Sequence, residues 1–212
     1  MSNSIQITSK KTRTSSWDEL SFEFRHGNQV FAPEDKLWFK LKDNAVVQAS
    51  VVSTNYSPNT AMFILDKIPW THRMNNTDIV ACGWAGCVMQ EYLNTEVLAL
   101  LPDELEEVIQ PRTIRQKVGG RVYEWTGRLW LPSRTEVFGG ENECDVDEAR
   151  LPFFERRKNR IVVDDNDSLC WWWLRTVVSS TAFAGVYSYG HASGTTASNV
   201  LGVRPCFLVR CG

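Results

Sequence analysis

The N-terminal third of the chain alternates hydrophobic and polar residues in short runs, with the period of two that is typical of β-strands. This pattern predicts strands in LSFEFRH and in KLWFKL, where Leu37 and Phe39 lie opposite Trp38. Residues 1–16 are mostly polar and contain no apolar run, and we expect them to be disordered. We predict a β-meander over about the first fifty residues and a further strand over 61–68.

The period changes to that of a helix in the segment that begins GWAGC. Trp84, Val88 and Tyr92 fall on one stripe, which we predict to be the buried face of the first helix. Asn94 or Thr95 is the expected cap of a second short helix.

Local motifs predict the next elements. Gly119-Gly120 joins two alternating runs and predicts a β-hairpin. Ser133 and Glu136 have the spacing of a capping box, which predicts one helical turn that ends at Gly139-Gly140. In the charged segment that follows, Pro152-Phe153-Phe154 is the expected anchor.

The last forty residues contain a tryptophan-rich strand, WWWLRT, and a closing strand, GVRPCFLV. Alternation places Trp171 and Trp173 on one side of the first strand and Trp172 on the other, so we expect all three in the core. Arg175 and Arg204 are expected to hold loops through hydrogen bonds to carbonyl or carboxylate groups.

Residues 179–201, between these two strands, have an unusual composition. Lys, Glu, Gln, Met and Trp make up about a fifth of the chain but are absent from this window. It consists mainly of Ser, Thr, Gly, Ala, Tyr, His and Asn, most of which are common in antibody binding loops. We expect Tyr187, Tyr189 and His191 to be exposed and to contact a ligand. The alternative is a flexible Gly/Ser loop that covers the core.

Charge and hydropathy argue against several classes of function. The chain has 23 basic and 25 acidic residues, a formal net charge of −2, and neither sign forms a long block. We therefore expect no capture of nucleic acid or of an anionic membrane. The N-terminus has no secretory signal and no stretch is long enough to span a membrane, so we predict synthesis in a cytoplasm and no membrane insertion.

Cofactors and metals are not predicted. The six cysteines include no Cys-x-x-Cys pair and the three histidines are scattered, so we expect reduced structural thiols and no zinc. Asp145, Asp147 and Glu148 lack the glycine spacing of a calcium loop, so calcium is not expected either.

Five motifs, in their order and spacing, resemble a domain of unknown function that is widespread in gut bacteria and their phages: WAGCVMQEYLN, LP followed by a helix, LWLPSRTEVFG, WWWLRT and GVRPCF. The resemblance covers roughly residues 55–210. It implies an α+β protein of C-type-lectin-like fold, related to formylglycine-generating enzyme, with short helices around small antiparallel sheets. We predict an N-terminal β-rich extension, residues 1–53, packed on a C-type-lectin-like domain, residues 54–212.

The last forty residues also resemble the variable proteins of diversity-generating retroelements, which include phage tropism adhesins. In that group, a template rich in AAC and AAT codons is copied with errors at adenines, and such copying cannot yield Lys, Glu, Gln, Met or Trp. Their absence from residues 179–201 fits this mechanism. The resemblance implies a non-catalytic binding protein for a protein or glycan ligand, located on a phage tail or in the cytoplasm.

The same resemblance divides the segment into fixed and variable positions. The fixed positions form a frame: Phe183, Val186, Gly190, Ala192, Ala197, Gly202, Val203 and Pro205. The variable positions are expected to bind the ligand: Ala182, Gly185, Tyr187, Ser188, Tyr189, His191, Ser193, Gly194, Thr195, Thr196, Ser198, Asn199 and Leu201. We expect their side chains to be exposed on one contiguous face.

Two alternatives to a binding protein are considered. The first is an enzyme of the formylglycine-generating type, which works through two cysteines. Cys206 and Cys211 have a comparable spacing, but the enzyme's pair precedes the corresponding strand, and an odd separation within a strand places two side chains on opposite faces. We therefore predict no catalytic residues. The second alternative is a structural module of a phage or a cell surface.

Overall fold

The computed structural model describes residues 5–8, 13–16, 19–20, 22–23, 26, 31–140, 142–164 and 166–210. Within these ranges, short helices and short strands follow one another along the chain, and most strands belong to two large sheets. The predicted α+β class is confirmed. No helix in this part of the chain combines the length and the hydropathy needed to cross a membrane.

A seven-stranded sheet joins N-terminal strands to the last strand of the chain. In spatial order its strands are β2 (Arg13–Ser15), β1 (Ile5–Thr8), β3 (Lys36–Lys40), β4 (Val46–Ser57), β5 (Thr60–Leu65), β16 (Cys206–Arg210) and β7 (Ile109–Gln110). The last strand, β16, pairs antiparallel with β5. The boundary predicted between residues 53 and 54 falls inside β4, so the predicted extension and the predicted main domain share this sheet.

The N-terminal segment differs from the prediction in two places. Residues 1–16, expected to be disordered, include β1 and β2. In LSFEFRH, Leu20 and Phe22 have helical backbone, so the predicted strand is wrong. The cause is a capping box, in which the Ser16 hydroxyl accepts from the Glu19 amide at 3.1 Å and the Glu19 carboxylate accepts from the Ser16 amide at 2.9 Å.

The strands predicted after this segment form, but the one predicted over 61–68 is β5, which ends at Leu65. In β3, Leu37 and Phe39 are buried, and Trp38 projects to the other side and is half-buried. At the centre of the sheet, Phe63 of β5 stacks on Phe207 of β16 with ring centroids 5.2 Å apart. The alternating pattern buries one face of β3, whereas consecutive residues of β5 and β16 are buried, so the centre of the sheet is covered on both faces.

The helical region consists of short consecutive segments. These are a 3-10 turn (Gly83–Gly86), α1 (Val88–Tyr92), a π-helical turn (Leu93–Val97), α2 (Leu98–Leu100) and α3 (Asp103–Val108). The fully buried residues of α1 and the π turn are Met89, Leu93 and Val97. The predicted stripe through Val88 and Tyr92 is therefore wrong by one residue, because Trp84 lies in the separate 3-10 turn and does not share the phase of the helix.

Asn94 and Thr95 do not cap a second helix, because the helix continues through both of them. The Thr95 hydroxyl donates to the carbonyl of Glu91 at 2.8 Å. The Asn94 amide donates to the carbonyl of Leu129 at 2.8 Å, which ties the helix to the segment that follows the hairpin.

The hairpin and the capped turn are confirmed. The strands β8 (Arg112–Val118) and β9 (Arg121–Gly127) are joined by Gly119 and Gly120, which have φ angles of 56° and 81° as a type I′ turn requires. The capping box of Ser133 and Glu136 begins α4 (Arg134–Phe138), with hydrogen bonds of 2.9 and 2.8 Å.

The charged segment after α4 is anchored as predicted. Phe153 and Phe154 are buried in a 3-10 turn, Pro152–Glu155. A second 3-10 turn, Arg157–Arg160, and the paired strands β10 (Val162–Val163) and β11 (Leu169–Cys170) lead into the second sheet.

The five-stranded sheet contains most of the segment predicted to bind a ligand. In spatial order its strands are β14 (Ala192–Thr196), β13 (Ala182–Val186), β12 (Trp172–Val177), β15 (Val200–Val203) and β6 (Trp70–Arg73). Trp172 and Trp173 are fully buried as predicted, but Trp171 is 37% exposed, so its predicted burial is wrong. The reason is its position just before β12, where the ring of Tyr187 covers it only in part.

Buried arginines fix this sheet to its surroundings, as predicted. Arg175 donates to the carbonyl of Leu131 at 2.8 Å and to the carboxylate of Glu136 at 2.7 Å. Arg204 donates to the carbonyl of Leu65 at 2.6 Å. These charge-assisted bonds join β12 to α4 and the start of β16 to the end of β5.

Opposite charges surround Glu136 in this buried cluster. Burial alone would raise the pKa of Glu136, but Arg112 and Arg175 outweigh it and hold this pKa well below its usual range. Glu148 accepts from Arg112 at 2.8 Å, yet burial and the neighbouring Glu136 raise the pKa of Glu148. The cluster joins β8, α4 and β12.

Candidate ligand-binding face

The pleat of the five-stranded sheet divides the predicted variable positions between its two faces. Gly185 pairs with Trp173 on one side and with Ser193 on the other, and cross-strand partners project to the same face. We call this the aromatic face, and its predicted positions are Gly185, Tyr187, His191, Ser193, Thr195 and Leu201. The positions on the opposite face are Ala182, Gly194 and Thr196. The expectation of one contiguous face is therefore wrong for these three, because strand alternation separates them from the rest.

Exposed and half-buried side chains, most of them aromatic, form a row across the aromatic face. The ring centroids of Trp171 and Tyr187 lie 4.3 Å apart, and those of Tyr187 and Tyr189 lie 5.8 Å apart. Leu201 pairs with His72 of β6, whose ring stacks on that of Tyr92 at 4.2 Å. We call this set the aromatic row: Tyr189, Tyr187, Trp171, Leu201, His72 and Tyr92.

The turn between β13 and β14 holds the exposed end of the row. The Gly190 amide donates to the carbonyl of Tyr187 at 2.7 Å, and the Tyr187 amide donates to the carbonyl of His191 at 2.8 Å. Gly190 has a φ of 77°, and a Cβ atom there would lie 3.3 Å from Cγ of Arg157. This turn requires glycine at position 190, and it projects Tyr189, which is 53% exposed, beyond the sheet.

The other frame residues are buried, with one exception. The buried ones are Phe183, Val186, Ala197, Gly202, Val203 and Pro205. A Cβ atom on Gly202 would lie 2.3 Å from Cδ1 of Ile68 and 2.8 Å from the carbonyl of Trp171, so the sheet has no room for a side chain there. Ala192 is exposed, so packing does not support its predicted place in the frame.

Two predicted variable positions are buried, so their expected exposure is wrong. A Cβ atom on Gly185 would lie 3.2 Å from the carbonyl of Trp172, and Ser188 is only 9% exposed within the turn. Small residues suit a tight contact as well as an exposed loop, so composition does not distinguish the two. Of the other positions, Tyr187, Tyr189, His191, Gly194 and Asn199 are exposed, and Ala182, Ser193, Thr195, Thr196, Ser198 and Leu201 are half-buried.

The comparison with protein families covers this whole site. A family model described as a domain of unknown function (DUF6273) matches residues 59–211. The chain belongs to this family. The DUF6273 region begins in the turn before β5 and includes the aromatic row and every frame residue. No curated protein and no solved structure matches the chain.

Three members of the aromatic row in this DUF6273 domain were missed by the sequence reasoning. His72 and Tyr92 lie about a hundred residues before the segment of unusual composition, and only the pairing of β6 with β15 brings them to it. Trp171 was assigned to the core because of the alternation in WWWLRT. The start of β12 at Trp172, which leaves Trp171 outside the strand, has no signal in that run.

Three of the described cysteines in the DUF6273 domain are buried. Cys206 is fully buried in β16, and burial raises the pKa of its thiol. Burial also raises the pKa of Cys87 to about 12 and that of Cys144 to about 11. These shifts disfavour the thiolate, which is the nucleophilic form. Cys211, the other member of the weighed catalytic pair, lies outside the described residues.

The acidic residues that were considered as calcium ligands have protein partners. Asp145 accepts from the hydroxyl of Thr135 at 2.9 Å, and Asp147 pairs with Arg115 at 3.0 Å. Across the ranges that the structure describes, no group of three or more His, Cys, Asp or Glu side chains is arranged to hold a metal ion.

Proposed function

We propose that this protein binds a ligand through the aromatic row, without catalysis, on a C-type-lectin-like scaffold. The observation that carries the proposal is the contrast along β13 and its turn. Tyr187 and Tyr189 are exposed, whereas Phe183 and Val186, a few residues earlier, are fully buried. A surface of this kind presents large rings on a backbone that packing holds in place.

The chemistry of the aromatic row suits recognition of a protein or a glycan. Tyrosine and tryptophan provide large contact areas with few rotatable bonds, and they are common among residues that dominate binding energy. Ser193 and Thr195 add hydroxyl groups on the same face, and His191 adds an imidazole. These groups can hydrogen-bond a ligand at the rim of the rings.

We further propose that this surface is diversified by a retroelement. Sequence change is tolerated where packing does not depend on a side chain. That condition is met by four exposed positions, Tyr187, Tyr189, His191 and Asn199. It is met in part by Ser193 and Thr195, which are half-buried. Gly185 and Ser188 do not, and we remove them from the proposed variable set.

An enzyme of the formylglycine-generating type is the weaker proposal. Its chemistry requires an accessible cysteine thiolate, and Cys206 is enclosed in the seven-stranded sheet between β5 and β7. The exposed rings of the aromatic row have no role in that chemistry, whereas ligand binding accounts for them.

The proposal is tested by probing arrays of purified proteins and glycans with the wild-type protein and two variants. Tyr187→Ala combined with Tyr189→Ala removes the exposed end of the row. Val46→Ala, a change at an exposed valine of β4, is the matched control. We expect ligands of the wild type to be bound by the control and lost by the double variant, with both variants melting like the wild type. A ligand that the double variant binds with unchanged affinity would contradict the proposal.

A further inference from the structure

A basic turn lies against the exposed end of the aromatic row. It is the 3-10 turn Arg157–Arg160. Arg157 Nε donates to the carbonyl of Tyr189 at 2.7 Å, and Cγ of Arg157 lies 3.3 Å from the Cβ position of Gly190. The side chain of Arg157 is exposed, so its guanidinium borders the same solvent as the ring of Tyr189.

Among the residues that the structure describes, three arginines in this region have no counter-ion. No carboxylate of the described residues lies within 4 Å of Arg150, Arg157 or Arg160. The two other basic residues of the segment, Arg156 and Lys158, pair with Glu34 at 2.7 and 3.8 Å. We call Arg150, Arg157 and Arg160 the arginine cluster.

The members of the arginine cluster lie close enough to repel one another. The guanidinium of Arg160 lies 5.1 Å from the ring centroid of Phe138, and the side chain of Arg150 packs over the adjacent Gly139. Burial lowers the pKa of Arg160, and the charges of Arg150 and Arg157 lower it further. A bound anion would relieve this repulsion, and no side chain of the described residues supplies one.

We infer that an acidic oligosaccharide binds across the turn between β13 and β14, with its sugar rings on Trp171, Tyr187 and Tyr189 and its anionic group on the arginine cluster. The inference rests on the proposed function and names the class of ligand. It joins two observations that are independent of each other, the exposed rings and the unpaired guanidinium groups.

The groups around the turn match the chemistry of an acidic sugar. A pyranose has an apolar C–H face that covers an exposed aromatic ring, and hydroxyl groups at its edge. Ser193 and Thr195 lie on the same face of the sheet as Tyr187 and can exchange hydrogen bonds with those hydroxyls. A guanidinium binds a carboxylate or sulfate through two parallel hydrogen bonds.

Two other anionic ligands fit less well. A nucleic acid is held by an extended basic track, but the adjacent basic residues are paired with Glu34 and the whole chain has a net charge of −2. An acidic peptide in extended conformation would pair with the free edge of β14, and such binding makes no use of the rings. Both are therefore outcomes that the experiment must separate from the expected one.

The experiment uses an array of oligosaccharides in matched acidic and neutral pairs: uronic acid and neutral hexose, sialylated and desialylated, sulfated and unsulfated. Single-stranded DNA and an acidic peptide are included on the same array. We expect the wild type to bind acidic members, with affinity that falls as salt rises. Binding should be absent for the neutral partner of each acidic hit, and for the DNA and the peptide.

Variants of the arginine cluster test which residues contact the anionic group of the oligosaccharide. Arg157→Gln should weaken binding to an acidic hit by about tenfold, the effect of losing one charge-assisted hydrogen bond. Because Arg157 also supports the turn, Arg150→Gln is tested as well. Among the described residues Arg150 makes no hydrogen bond to the turn, and its substitution should weaken binding in the same direction. Arg121→Gln, at an exposed arginine of the β8–β9 hairpin, is the matched control and should leave binding unchanged.

Three results would overturn the inference, and the first two concern the oligosaccharides. One is equal binding of acidic and neutral partners, and the other is binding of no oligosaccharide on the array. In either case a protein ligand that is lost by the Tyr187→Ala and Tyr189→Ala double variant would leave the proposed function intact. If the DNA or the peptide binds and this binding requires the arginine cluster, the inference of an acidic oligosaccharide is also overturned. The ligand class would then be nucleic acid or acidic peptide.

Discussion

The rings of Trp171 and Tyr187 pack against each other with centroids 4.3 Å apart and planes inclined by 59°. The carbonyl of Trp171 also accepts from the amide of Gly202 at 3.0 Å, so its backbone is tied to β15 while its ring remains partly exposed. The pair is therefore held in position without being buried. An arrangement of this kind lowers the entropic cost of binding, because the rings are ordered before the ligand arrives.

Adjacent tryptophans should respond to truncation in different ways. Trp173 is fully buried and donates to the carbonyl of His72 at 2.9 Å, so Trp173→Ala should destabilise the protein by roughly 3–5 kcal/mol. Trp171→Ala should cost less than about 1 kcal/mol of stability, because the ring is already partly in solvent, but it should weaken ligand binding. Urea denaturation of both variants beside the wild type measures the difference. A loss below about 1 kcal/mol for Trp173→Ala would show that the core is misplaced.

The predicted variable positions that are exposed or half-buried should tolerate simultaneous change. Replacement of Tyr187, Tyr189, His191, Ser193 and Thr195 by other small or aromatic residues should shift stability by no more than about 0.5 kcal/mol for each exposed position. Phe183→Ala is the contrasting variant, and burial predicts a loss of about 3–5 kcal/mol for it. Thermal melts decide the point, and unfolding of the multiple variant with an intact frame would contradict the division into frame and surface.

A methyl group at position 202 should be poorly tolerated. Its carbon would lie 2.3 Å from Cδ1 of Ile68 and 2.8 Å from the carbonyl of Trp171, so Gly202→Ala should destabilise by roughly 1–3 kcal/mol through overpacking. Ala192→Ser, at an exposed position of β14, is the control and should be nearly neutral. Equal melting temperatures for the two variants would show that the sheet has more room than the structure indicates.

Stability should depend on pH through Glu136. Burial alone would raise the pKa of Glu136, but the charges of Arg112 and Arg175 hold this pKa below its usual range. Its carboxylate therefore stabilises the fold above the pKa of the unfolded chain, about 4.3, and this contribution is lost as the pH falls below that value toward the folded pKa. Glu148, whose pKa is raised by burial and by the neighbouring Glu136, acts in the opposite sense, and loss of the Glu136 charge removes one of these two causes.

The test of this linkage is Glu136→Gln. Removing the charge leaves two buried guanidinium groups with one fewer carboxylate, so the variant should lose about 3–5 kcal/mol at pH 7. Between pH 7 and pH 3, the free energy of unfolding should fall less in the variant than in the wild type. Urea denaturation at the two pH values provides both numbers, and an equal acid-dependent loss in the two proteins would refute the assignment.

Local signals in the sequence predicted local structure well. The capping box of Ser133 and Glu136 and the Gly119-Gly120 turn act over a few residues, and both elements form where predicted. The same kind of signal was present at Ser16 and Glu19 and was overlooked, because the alternation in LSFEFRH favoured a strand. A capping box fixes the first turn of a helix through specific hydrogen bonds, whereas a short alternating run is compatible with either structure.

The sequence predicts the candidate site only in part. The unusual composition belongs to one continuous segment, whereas the geometry of the site depends on contacts between segments that are far apart in the chain. The exposure of Tyr187, Tyr189 and His191 follows from residue type, and the structure agrees with it. The burial of Gly185 depends on how closely the strand that contains Trp172 approaches it. His72 joins the site only through strand pairing across about 130 residues of chain, and such register has no signature in either segment.

The measurement that tests the central claim most directly is the sequence of the DNA that flanks the gene. A diversified binding surface predicts a nearby reverse transcriptase gene and a near-copy of the codons for residues 179–210 that differs from them only at adenines. The differences should fall at codons for exposed positions such as Tyr187 and Tyr189, and the codons for the buried Phe183, Val186 and Ala197 should be identical. The absence of any such copy, or differences that reach the codons of these buried residues, would contradict the account.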